Sequence, residues 1–99
     1  MMVIYIAGPI TDIPNYRGRF SAAERTLRAD GHIVFNPSFL PAGLPHDSYL
    51  PIDRAMMDAC DTVYFLRDWE SSAGARSEFD YATKRGMKLM FEDRGVHNE

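Results

Sequence analysis

Cysteine is almost missing from this chain. Cys60 is the only one in 99 residues, which excludes a disulfide framework and a thiolate metal cluster and leaves Cys60 as a small core residue of a reducing compartment. Histidine is scarce as well. His32, His46 and His97 stand far apart, no His/Asp/Glu spacing matches a metal site, and no metal is expected. Basic charge is not in excess. The net charge of −3 argues against a nucleic-acid polymer as partner, which needs a basic face, but allows a small anion held by local donors. No apolar run reaches the roughly 20 residues of a membrane span. Met1 to Ile10 is apolar but short and is broken by Gly8-Pro9, so no leader or membrane anchor is read and a cytoplasmic protein is expected. The G-x-G-x-x-G and G-x-x-x-x-G-K-[ST] fingerprints are both absent, so neither a dinucleotide cofactor nor a P-loop is indicated.

What is present reads as one domain over residues 1–99. Val3 to Ala7 is a continuous apolar run that ends in Gly8-Pro9, the pattern of a central parallel strand buried on both faces. Phe20, Ala23 and Leu27 fall at helical spacing within a predicted helix over Tyr16 to Ala29, stopped by Asp30-Gly31. Ile33-Val34-Phe35 predicts a second strand and Thr62 to Leu66 a third. Pro51 reads as the first position of a helix reaching Cys60. A further helix runs to Lys84-Arg85-Gly86, and a strand over Met87 to Phe91 precedes a polar tail expected to fray after Glu92. Strands alternating with helices predict an α/β fold: three layers around a four- to five-stranded parallel sheet, flavodoxin- or Rossmann-like. The loops after the first three strands, at Gly8 to Arg19, Asn36 to Tyr49 and Arg67 to Ser72, should then line one edge. The Pro- and Gly-rich 38–49 segment, which carries His46 and Asp47, reads as a lid.

One acid stands out. Glu24 can pair with Arg28, and Asp80 with Arg76 and Lys84, four residues away on their own helices. Glu78 has Gly74, Ala75, Tyr81 and Ala82 three and four residues away, so nothing basic on its helix neutralises it. It lies in the second turn of a helix that opens at the end of a central strand, where open α/β sheets bind ligands. Ser71 and Ser72 precede that helix; one can cap it while exposed N–H groups and a hydroxyl form an anion site. Asp53 is either a first-turn acid that favours the helix dipole or a second carboxylate facing Glu78. Tyr16, Arg17 and Arg19 open another helix, where cations oppose the dipole; they either meet a phosphate or are solvated surface residues. Trp69 either covers a base or sugar or caps the core, and Met56 and Met57 read as packing or a subunit contact.

The strand Tyr5-Ile6-Ala7-Gly8-Pro9 resembles the opening of nucleoside 2-deoxyribosyltransferases, and Ser72 to Ala82 resembles their nucleophile helix, a glutamate following a small-residue turn. Asp53, and Asp61 at the start of the third strand, fall where that family places aspartates. The likeness spans roughly residues 3 to 91, and small phage and bacterial members of the superfamily are similar. Six residues before the nucleophile the transferases carry an aspartate; Ser72 stands here instead, as in the related hydrolases that cut the base from a deoxynucleoside 5'-monophosphate. The resemblance implies Glu78 as nucleophile and Asp53 as the group that orients or protonates the leaving base. It also implies substrate contacts at Tyr5, Gly8, Pro9, Tyr16, Arg17, Arg19, Ser71, Ser72 and Gly74, with Tyr5 or Tyr16 holding Glu78 and an arginine meeting the phosphate. The expected partner is a small nucleotide or nucleoside, with no cofactor. The expected activity is cleavage or transfer of its N-glycosidic bond through a deoxyribosyl-glutamate. The chain is shorter than family members after its last strand, where transferases draw residues from a neighbouring subunit. That shortfall favours an alternative, a non-catalytic nucleotide-binding module; a purely structural adaptor is a third reading. So small a domain gains by burying more surface, so a homodimer or larger homo-oligomer is expected.

Overall fold

The computed structural model describes residues 1–93 and the backbone of 95–97. Its elements follow in the order β1 (Val3–Ala7), α1 (Tyr16–Ala29), β2 (Ile33–Phe35), α2 (His46–Asp58), β3 (Thr62–Phe65), α3 (Ala73–Lys84), β4 (Lys88–Phe91) and β5 (Gly95–His97). The sheet order is β2-β1-β3-β4-β5. β1 to β4 are all parallel, in the doubly wound order of flavodoxin-like sheets. The three-layer α/β expectation therefore holds. The tail expected to fray instead adds β5, antiparallel to β4. Strand pairing uses main-chain groups, so a polar sequence is no obstacle to it at a sheet edge.

The alternation of β1 builds both layers at once. Ile4 and Ile6 pack with Phe20, Ala23 and Leu27 of α1 on one face. Tyr5 and Ala7 pack with Met57 of α2 and Ala82 of α3 on the other. The spacing of three and four along α1 puts its apolar residues on one stripe. Both α1 and α3 stop at a glycine with positive φ, Gly31 at +90° and Gly86 at +68°, which lets His32 N–H bond back to Leu27 O and Met87 N–H to Ala82 O.

α2 begins at His46, five residues before the predicted start. Pro45 precedes it, and Pro51 lies inside the helix. Pro51 offers no N–H to the carbonyl of Asp47, but Asp47 is exposed, so water can take that place. Two prolines six residues apart each fit a helix start, and the sequence pattern alone favours neither.

An aromatic cluster fixes α3 on the sheet. The Phe65 ring lies 4.9 Å from Trp69, 5.7 Å from Phe79 and 5.4 Å from Phe91, and Trp69 stacks on Phe79 at 4.9 Å. Trp69, half-buried, thus caps the core, the second of its two sequence readings. At the opposite end of the strands Asp61 accepts from Val3 N–H at 3.2 Å and from Thr62 Oγ1 at 2.6 Å, which fastens β1 to β3 well away from their carboxyl ends.

Candidate active site

The chain runs from β1 outward to β2, then crosses back to β3 on the other side of β1. The reversal opens a crevice at the carboxyl end of β1, the place where such sheets take ligands. Three elements bring side chains there. β1 supplies Tyr5, fully buried. α3 supplies Glu78, one turn and a half beyond its capping residue Ser72, whose Oγ accepts from Ala75 N–H at 3.1 Å. Tyr5 Oη donates to Glu78 Oε2 at 2.7 Å. α2 supplies Asp53, within hydrogen-bonding reach of both. Because α2 starts at His46, Asp53 lies in its third turn and the dipole reading of that acid falls away, leaving the facing-carboxylate one.

Burial governs the electrostatics. It pushes the Glu78 carboxyl well above the ordinary range, and the neighbouring Asp53 charge adds to this, while the Tyr5 hydrogen bond works the other way. Burial also raises Asp53, opposed by its contacts with Glu78 and Tyr5. Tyr5 is itself raised far above an ordinary phenol by burial and by the two acids, so it stays a donor. Asp53 Oδ1 is buried and has no hydrogen-bond partner among the described residues. Two ionised carboxylates cannot bond to each other, because both only accept. One proton shared across the pair supplies the missing bond and relieves the repulsion.

Beside the pair lies a cavity of about 300 Å³, within the range of small-molecule sites. Its wall includes Glu78, Asp53, Gly8, Tyr16, Ser72 and Gly74, so six of the sequence-predicted residues converge on it and Tyr5 reaches it through Glu78. A family model described as "Domain of unknown function (DUF4406)" matches residues 2–91, β1 through β4. The chain belongs to this family. No curated protein and no solved structure matches it.

The remaining predicted residues of this DUF4406 domain are used elsewhere. Arg17 Nε donates to Ser38 O at 3.0 Å and its Nη2 to Leu40 O at 3.3 Å, and Arg19 Nη2 donates to Arg67 O at 2.8 Å. Neither arginine lines the cavity; each ties a strand-end loop to α1, and those carbonyl dipoles are the acceptors that offset their unfavourable place near the helix start. Ser71 Oγ donates to Asp68 O at 2.7 Å, and Pro9 is buried outside the cavity wall. Gly8 is small for a packing reason: a Cβ there would sit 2.8 Å from Leu66 Cδ1. Asp80 makes no ion pair among the described residues; Arg76, its expected partner, donates to Glu70 O at 2.7 Å. Glu24 does pair with Arg28, at 3.1 Å.

The 38–49 segment is a pinned wall, not a free lid. Tyr49 Oη donates to Pro41 O at 2.5 Å and accepts from Leu44 N–H at 3.1 Å, and His46 onward is helical. Ser38, Thr11 and Tyr49 line the cavity without having been singled out in sequence. The Tyr49 signal was its place three residues into a helix whose start was misplaced; Ser38 carried none. Among the described residues no group of three or more His, Cys, Asp or Glu could hold a metal, and no helix is long and apolar enough to cross a membrane.

Proposed function

We propose that this protein breaks the N-glycosidic bond of a 2'-deoxynucleoside 5'-monophosphate, passing the sugar to water or to a second base through a covalent ester on Glu78. The reading is carried by one observation, the Tyr5-held Glu78 carboxyl facing a cavity with Asp53 beside it. The resemblance of Tyr5–Pro9 and of the Ser72–Ala82 helix to nucleoside 2-deoxyribosyltransferases supports the same chemistry. The reactive form of the singly protonated pair has Glu78 ionised, stabilised by Tyr5, and the proton on Asp53; burial favours the opposite placement, so the reaction draws on the minor tautomer. Glu78 attacks the anomeric carbon as the bond to the base breaks, and Asp53 gives its proton to the departing nitrogen. The transition state is oxocarbenium-like, and the adjacent carboxylate stabilises it. Asp53, now ionised, takes a proton from the incoming water, whose oxygen bonds to the same carbon and frees Glu78. The amino end of α3 supports the phosphate: Ser72 and Gly74 line the cavity, and with the Ala75 amide capped by Ser72 Oγ the two amides before it are the ones left for an anion. Arg17 and Arg19 have no part in this version of the site.

Incubation with the four deoxynucleoside monophosphates and their parent nucleosides, followed by chromatography for free base, tests the proposal. Intact-mass analysis of rapidly quenched reactions tests for the sugar ester on Glu78. No free base from any of the eight substrates overturns the cleavage reading. A second reading, a module that holds the nucleotide uncleaved, is favoured by the raised proton affinity of Glu78, because a protonated acid is no nucleophile. Calorimetry that finds binding without base release would establish it.

The pair also sets a pH profile. kcat/KM should trace a bell, falling below about 6 as the pair takes a second proton and above about 8 as it loses its last. Asp53→Asn should slow cleavage by about 10²-fold or more and remove the alkaline limb, since the amide has no proton to lose. It should keep an acid limb, which then reports Glu78 alone, whose proton affinity burial still raises. An unchanged bell in this variant would assign the limbs to other groups.

A further inference from the structure

Resting on the reading of the cavity as a nucleotide site, we infer that the Ser38 hydroxyl reads the edge of the bound base and sets which base is accepted. Ser38 is 2% exposed, and its Oγ has no hydrogen-bond partner among the described residues. Buried hydroxyls are almost always satisfied. The rest of the residue is firmly held: its N–H donates to Asn36 Oδ1 at 2.9 Å, and its carbonyl accepts from Arg17 Nε at 3.0 Å. Asn36 is in turn fixed by donating to Glu24 Oε1 at 2.9 Å. The backbone is thus anchored from both sides while the hydroxyl of this cavity-lining residue is left over. An alanine would fill the same space without stranding a polar atom.

Topology says which part of the substrate meets it. Ser38 follows β2 and Glu78 follows β3, so the two flank β1 from opposite sides. With the anomeric carbon at Glu78 and the phosphate at the start of α3, the base extends across the end of β1 towards the β2 loop. There Leu40 and Pro41 line the cavity with apolar surface, suited to the faces of a planar ring, and Ser38 offers the polar group suited to its edge. A polar group built to bond a substrate discriminates strongly against a ligand that lacks the partner, because it is then left unpaired.

Wild type and Ser38→Ala are compared in two measurements. Thermal unfolding without ligand should show the variant as stable as wild type or more so, by up to several degrees, because the stranded hydroxyl is gone. Base release from the four deoxynucleoside monophosphates should show kcat/KM on the preferred base falling at least tenfold, and the spread between best and worst base shrinking at least tenfold. A lower Tm with the same fractional loss on all four bases makes Ser38 merely structural and overturns the inference, as does a wild type that handles all four alike. If no base is released from any substrate, cleavage fails alone and calorimetry with the same four nucleotides decides. Selective binding that Ser38→Ala flattens upholds the inference; unselective binding, or none, overturns it.

Discussion

Glu78→Gln should lower base release by at least about 10³-fold, equivalent to roughly 4 kcal/mol of barrier, while leaving the fold intact. Glutamine has the same shape, and its carbonyl oxygen can still accept from Tyr5 Oη, so the change removes nucleophilicity and little else. A loss within tenfold would exclude Glu78 as the nucleophile. The same variant has a second readout that needs no substrate. The folded protein raises the proton affinity of Glu78 above its unfolded value, from 4.5 to about 8, chiefly by burial. The folded state therefore binds more protons between those limits, and stability must decline as pH rises through that window. Glutamine does not titrate. Wild type and variant should match most closely near pH 4 and diverge towards pH 9, where the variant should be more stable by on the order of 1–3 kcal/mol. Parallel stability curves from pH 4 to pH 9 would mean that the carboxyl is solvated and not held against its preference.

Phe65→Ala should cost about 3–5 kcal/mol, the range for emptying an aromatic site in a core. Domains hold only about 5–15 kcal/mol in total, so this change brings the protein close to unfolding. Phe65 is completely buried and joins Trp69, Phe79 and Phe91. Phe79 adjoins Glu78 on α3, so a hole beneath it frees the helix that carries Glu78. Urea titration read by the fluorescence of Trp69, the only tryptophan, measures the loss directly. A cost below about 1.5 kcal/mol would mean that the surrounding rings collapse into the gap and that Phe65 is no keystone of the α3 docking.

The layered α/β architecture was legible because each layer is written in local pattern. The unbroken apolar run of β1 and the Phe20-Ala23-Leu27 stripe of α1 predict their own burial. Glu78 was legible through what its helix lacks, a basic neighbour, and the structure supplies a phenol from β1 in that place. Asp53 was half legible: it was singled out, but the start of its helix was assigned to the wrong proline. Arg17 and Arg19 show the opposite failure. A cation near a helix start signals an unseen acceptor, yet sequence cannot say that the acceptor is a loop carbonyl. Ser38 left no trace because its property, an unsatisfied hydroxyl in a closed wall, exists only once β1, β2 and α1 are assembled. β5 was illegible for a related reason, since edge pairing rests on main-chain groups that every residue carries.

The bond between Tyr5 and Glu78 joins residues 73 positions apart, and β1 finds its β3 partner 58 positions downstream. A ribosome therefore releases everything from β1 to α3 before Tyr5 and Glu78 can meet. A chain clipped between β1 and α3 carries that acid in its ordinary, water-wetted form. The raised proton affinity of Glu78 thus arrives together with completion of the central sheet, and is lost with it.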